Sequence, residues 1–186
     1  VSATQAQSEK SLKERGAKLS TAVELGSRIV IEADQPSTDP ENKTFHSYKA
    51  KSDAVAAELK KVIAEHAGTE TARTASLRLA IAELDAGNAD EAIKGIEAYL
   101  AGGEGSLTLV ANESLGFAYE KKGDFEKANA AFEKLTAAAP ARALYHKGRV
   151  AELSGKKDEA RKLYTQVIKD HEKELVAGDA KGRLEL

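Results

Sequence analysis

Leu115-Gly116-Phe117-Ala118-Tyr119-Glu120-Lys121-Lys122-Gly123-Asp124-Phe125-Glu126-Lys127-Ala128-Asn129-Ala130-Ala131-Phe132 is the stretch from which the fold is read. Apolar and small residues recur at helical spacing up to Lys122, Gly123 interrupts them, and Asp124 offers N-cap chemistry to a second amphipathic run. Two helices joined by a tight turn follow. Gly116 and Ala128 are small because the helices of a hairpin cross there, where a longer side chain would hold them apart. Tyr119 and Phe132 supply the bulk that fills the adjacent space, and Pro140 ends the unit.

The pairing of a turn glycine with an alanine five residues later recurs as Gly87 with Ala92, Gly123 with Ala128, and Gly155 with Ala160. The intervals of 36 and 32 residues bracket the period of about 34 expected of a helix-turn-helix repeat. In the middle unit Leu115, Gly116, Tyr119, Gly123, Asp124, Ala128, Phe132 and Pro140 closely resemble the tetratricopeptide repeat (TPR) signature. Looser matches are Leu79, Ala80, Gly87, Ala92 and Ile96 in the first unit, and Leu144, Gly148, Gly155, Ala160 and Tyr164 in the third. Asn88 with Glu91 offers a capping box, Asp124 a simple N-cap and Lys156 neither, which predicts that the third turn is the loosest. Gly102 to Gly105 absorbs the two extra residues of the longer interval as a flexible joint.

Upstream, Leu12 to about Ala33 reads as a long helix ending before Pro36, and Phe45 to His66 as a second, with Tyr48, Val55, Leu59, Val62 and Ile63 on one face. Gly26 and Arg15 in the seam of the first helix argue for intramolecular packing rather than a coiled coil. Leu184 and Leu186 place a cap at the far end. The expected fold is all-α: a TPR-like helical-hairpin solenoid of about three repeats with an N-terminal helical hairpin and a C-terminal capping helix. Its expected parts are 1–67 for the hairpin with its loop at 34–44, 68–172 for the repeats (73–106, 109–140 and 141–172), and 173–186 for the cap, all one structural domain.

Composition narrows the function. The chain has 186 residues, 28 basic against 30 acidic side chains and a net charge of -2, without the basic footprint of a nucleic-acid binder. It has no Cys, so thiolate metal sites and cysteine nucleophiles are excluded. Val1 in first place and the absence of Met suggest that a native start lies upstream. No apolar run approaches the length of a membrane span, Ile29-Val30-Ile31 being the longest patch. His46, His66, His146 and His171 are isolated in sequence, and Gly102-Gly103-Glu104-Gly105 lacks the Lys-Ser/Thr of a phosphate loop. No catalytic residue, metal site or cofactor is expected, and the chain is read as a non-enzymatic binder of a protein or peptide.

Stacked repeats line their concave side with first helices. The register set by Ala92, Ala128 and Ala160 places Leu77, Ile81 and Leu84, then Glu113, Phe117 and Glu120, then Tyr145, Arg149 and Glu152 on that side. Phe117, Tyr145 and Arg149 are the preferred anchors, being of the types that dominate interfaces. The competing expectation is that the N-terminal hairpin or the C-terminal tail covers Phe117 and Ile81.

Gly68-Thr69-Glu70-Thr71-Ala72 leading into Ala75-Ser76-Leu77-Arg78-Leu79-Ala80, with Ala141 to Arg149 and Ala151-Glu152-Leu153, resembles the periplasmic domain of the membrane-anchored ancillary Sec-translocon subunit family. That resemblance implies a periplasmic scaffold tethered to the inner membrane by a segment before Val1 and working with secretion machinery or envelope chaperones; the cytoplasm is the alternative location. The alternative function is a self-associating structural protein that oligomerises through its N-terminal helices.

Overall fold

The computed structural model describes residues 3–27 and 45–185. Among them every regular element is a helix, so the fold is all-α. In order these are α1 (Ala3–Ser27), α2 (Tyr48–Glu65), α3 (Glu70–Asp85), α4 (Ala89–Ala101), α5 (Thr108–Lys122), α6 (Phe125–Glu133), α7 (Pro140–Leu153), α8 (Lys157–Asp170) and α9 (Leu175–Leu184). None of them is long and apolar enough to cross a membrane. The described residues pack as two compact units that divide between Gly87 and Asn88. The division falls at the Gly87 turn, inside the first repeat as the sequence delimits it.

In the first unit α1 and α2 run antiparallel, with Lys18 paired to Glu65 and Gly26 beside Val55, and α3 packs on both. Ala22, Leu59, Val62 and Ala75 form the buried centre, with Leu19, Val55, Ile63 and Leu79 around it. Leu19 and Ala22 are thus used intramolecularly. The first helix begins nine residues earlier than its apolar periodicity suggests, because its start is built of polar helix formers and residues 7–14 lie exposed. Residues 28–33 and the loop at 34–44 lie outside the described residues. The second helix begins at Tyr48 rather than Phe45 because the Ser47 hydroxyl accepts from the Ala50 N–H at 3.0 Å and caps it.

In the second unit each helix packs on the next, and α9 folds back on α8 and α7. The α5/α6 and α7/α8 hairpins share one device. A Cβ on Gly116 would overlap the Phe132 ring, and one on Gly148 would lie 2.7 Å from the Tyr164 ring, so backbone and ring touch directly at both crossings. Phe132 and Tyr164 are buried, and with Leu135, Val150 and Val167 they make up most of the large buried side chains of the unit.

The turns after α5 and α7 are also alike. Gly123 (φ 75°) donates to Glu120 O and Asp124 to Tyr119 O, while Gly155 (φ 79°) donates to Glu152 O and Lys156 to Ala151 O. That is the Schellman closure, and it relies on a left-handed glycine and two backbone bonds. The third turn is therefore as well closed as the second despite the missing side-chain cap, contrary to expectation. Nor does Asn88 cap α4 through its side chain, whereas Asp124 caps α6 by accepting from Lys127 N at 3.2 Å. The Gly102–Gly105 stretch ends in a reciprocal lock, Gly105 N donating to Thr108 Oγ1 at 2.8 Å and Thr108 N to Gly105 O at 3.1 Å. Tyr119 ties α5 to α4, its hydroxyl donating to Glu97 at 2.6 Å; that hydrogen bond pushes the Tyr119 pKa up to about 12.

The crossings give a direct test. Gly116→Ala is expected to destabilise the chain by about 1–2 kcal/mol, the cost of overpacking less the gain in helix propensity. Gly178→Ala, at a helical glycine with nothing within 4 Å of a Cβ, is expected to stabilise by about 0.5–1 kcal/mol. Urea unfolding measures both, and a neutral Gly116→Ala would refute the close-contact explanation.

Candidate protein-binding face

Residues three and four apart share a helix face. Glu113, Phe117 and Glu120 form such a stripe on α5, and Arg142, Tyr145, His146, Arg149 and Glu152 another on α7. The two meet in a ladder. Arg142 forks onto Glu113, Nε donating to Oε1 at 3.0 Å and Nη2 to Oε2. Arg149 does the same to Glu120, with Nε 3.2 Å from Oε1. Each rung joins residues 29 apart in the chain, and the rungs lie about two turns apart on both helices. The side chains of Arg149 and Glu120 are only 22% and 10% exposed. Loss of one partner would leave the other charge poorly solvated, at a cost on the order of 2 kcal/mol.

Rings fill the space around the rungs. The Arg149 guanidinium carbon sits 4.7 Å from the Phe117 ring centroid, a cation–π contact. Phe117 meets Phe132 and His146 edge-on, and His146 stacks on Phe132 at 4.6 Å. His146 is 7% exposed and its Nε2 lies 2.8 Å from Glu113 Oε1. Burial alone would raise the Glu113 pKa, but the hydrogen bonds from His146 and Arg142 outweigh it and hold the carboxyl below its ordinary 4.5. An ionised carboxylate only accepts, so Nε2 carries the ring hydrogen and Nδ1 is left as a buried nitrogen with no hydrogen-bond partner.

Tyr145 and Glu152, interleaved with these residues along α7, face α9. Arg183 of α9 lies 3.6 Å from Glu152, Tyr145 packs against the cluster that holds Ala177 and Ala180, and the Tyr164 hydroxyl donates to Glu152 at 2.7 Å. Burial, then the Glu152 bond, pushes the Tyr164 pKa well up. The C-terminal helix therefore covers this side of α7, while Phe117 is flanked by Arg149, Phe132 and His146.

Of the groove residues expected from the sequence, Glu113, Phe117, Glu120, Tyr145, Arg149 and Glu152 are half-buried in the second unit and linked as described. Leu77 and Leu84 on α3 are 0% and 7% exposed. They are corrected to core residues, because a large apolar side chain on a packed helix gains more from burial than from an open surface; Ile81 is half-buried. Sequence reasoning missed Arg142, His146 and Arg183. A signal for the first lay in the charge pattern: Glu113 with Arg142 and Glu120 with Arg149 share one spacing, about one helical turn short of the 32-residue repeat interval. Among the described residues there is no group of three His, Asp or Glu side chains that could hold a metal ion.

Residues 115–174 match the family model described as Tetratricopeptide repeat, about a third of the chain. No curated protein matches. Among solved structures, the chain is similar to a tetratricopeptide repeat protein from Parabacteroides merdae, with 19% identity and a TM-score of 0.59 over 74% of this chain and 54% of that one. It is also similar to the kinesin light chain nearly identical TPR-like repeats of Podosopora anserina, with 20% identity and a TM-score of 0.57 over 68% of this chain and 70% of that one. A variant of that protein with a single substitution gives 20% identity and a TM-score of 0.55 over 64% and 66%. The chain thus spans about half of the bacterial structure and about two thirds of the others. These likenesses carry the fold, which is TPR-like, and are too distant to carry a subgroup.

The Glu113 network predicts a pH dependence. A carboxyl held below 4.5 when folded binds fewer protons folded than unfolded, so its contribution is full above about pH 5 and is lost as pH falls through the folded value. Glu113→Gln should lower stability at pH 7 by about 1–2 kcal/mol and flatten the fall below about pH 5. Denaturant midpoints across pH measure this; parallel profiles for the two proteins would mean that the network does not hold the carboxylate.

Proposed function

We propose that this chain is a non-catalytic scaffold that binds a polypeptide partner on the α5–α7 face. The observation that carries the reading is the ladder: Phe117 and Arg149 are locked in one arrangement by the two forked ion pairs and the rings between them. Aromatic and arginine side chains already ordered lose little entropy on binding. The charges of the face balance, Glu113, Glu120 and Glu152 against Arg142, Arg149 and Arg183, which suits a segment of little net charge. Repeats of the matched family generally mediate protein–protein interactions. Work with secretion machinery or envelope chaperones in the periplasm is the narrower form of the proposal, and its support is the resemblance of 68–80 and 141–153.

Photo-crosslinking side chains placed at exposed Val110 and Leu153, which flank the ladder on α5 and α7 without belonging to it, should capture a partner from a membrane-plus-envelope extract, and the same group at exposed Lys127 and Lys157 should not. Equal capture from all four positions would move the site off this face.

A second reading, self-association through the N-terminal helices, is supported by Leu12 and Val23, which are 58% and 45% exposed and lie about three turns apart on one side of α1. It predicts a dimer by sedimentation at micromolar concentration that Leu12→Lys with Val23→Lys abolishes. A monomer throughout would end it.

A further inference from the structure

The seat under α9 and the helix that occupies it are unequal. The seat is broad and apolar, with Ala151, Ala160, Tyr164 and Val167 buried and Leu144, Tyr145, Leu163 and Ile168 around them. The helix above has ten residues and buries only Ala177 and Ala180, aided by Val176 and Leu184 at its flank, while Leu175 is 94% exposed. The helix therefore rests on the seat through few side chains. Its interior carries Gly178 and Gly182, yet neither has a positive φ and a Cβ on either would meet nothing within 4 Å. With no steric or backbone reason for them, their effect is to weaken the helix, by about 1 kcal/mol each relative to Ala. Its N-terminus has no side-chain cap. The ion pair that fastens it, Arg183 to Glu152, is about a third exposed on both sides, where such pairs contribute little.

We propose that α9 is a removable occupant of a helix-binding site on α7 and α8, and that the partner is a helix of another polypeptide with α9's chemistry. Such a helix offers two small residues one turn apart to the seat and an Arg or Lys to Glu152. Displacement of α9 also frees Tyr145 and Glu152 beside the α5–α7 face, and in that respect alone the inference rests on the proposed function.

Hydrogen exchange on the intact chain tests removability. Amides of α9 should exchange at least about 100-fold faster than those of α8, the signature of local opening below the global transition. Arg183→Ala should speed α9 further and leave α5 to α7 unchanged. Protection of α9 equal to that of α8 would overturn the proposal. A labelled peptide with the sequence of residues 172–186 then tests the site. It should bind the Arg183→Ala chain about two- to fivefold more tightly than the unaltered chain, whose own α9 competes more strongly. Binding should fall on adding Glu152→Lys and return with a peptide carrying Arg183→Glu. Binding indifferent to these exchanges, or absent from both chains, would overturn the assignment, as would dimers formed by swapping α9 between two copies. Neither measurement uses the partner of the α5–α7 face, so an α9 that stays closed and a face that captures nothing are separate failures.

Discussion

The contact between a glycine backbone and an aromatic ring, Gly116 against Phe132 and Gly148 against Tyr164, is the constraint from which the rest of the second unit follows. It brings each hairpin to a separation that no residue with a Cβ would allow, and so sets where the next helix can lie. With Phe132 seated on α5, its ring is available to His146 of α7, which stacks on it. His146 in that position reaches Glu113, and the forked pairs from Arg142 and Arg149 close at the same separation. In the second hairpin Tyr164, seated the same way, sends its hydroxyl to Glu152 and forms the floor beneath α9.

Charge on this face is held by pairing rather than by solvent. A half-buried carboxylate is tolerated only where donors replace its water, and Glu113 has three, two from Arg142 and one from His146. Their combined effect exceeds the burial penalty, as the lowered pKa shows. The result is a surface with aromatic and arginine groups and little freedom, the combination that lowers the cost of capturing a ligand. The other side of α7 differs in kind. There the cover is a glycine-bearing helix on an apolar seat, so one helix serves a rigid face on one side and a weakly held helix on the other.

The turns show how local and tertiary information divide. Asp124 and the glycines at 123 and 155 announce themselves by residue type, because positive φ and N-cap bonds involve only neighbours in the chain. Lys156 looks like a poor cap, yet its turn closes through backbone bonds that any residue can make. The early start of α1 was equally illegible, since a polar exposed stretch has no apolar period to read.

Periodicity along the chain determined the helices of the second unit, their order, the glycine turns and the small-to-aromatic pairing at each crossing, because these depend on spacings within one repeat. That Leu77 and Leu84 are core, that His146 joins the candidate face, and that α9 rather than open solvent meets Tyr145 and Glu152 were decided by tertiary structure alone, and so was the pairing of which the charge spacing of Arg142 gave only a hint. Those outcomes turn on the offset of about one turn between neighbouring helices, which joins residues 29 apart. Side-chain packing sets that offset, and no local pattern encodes it.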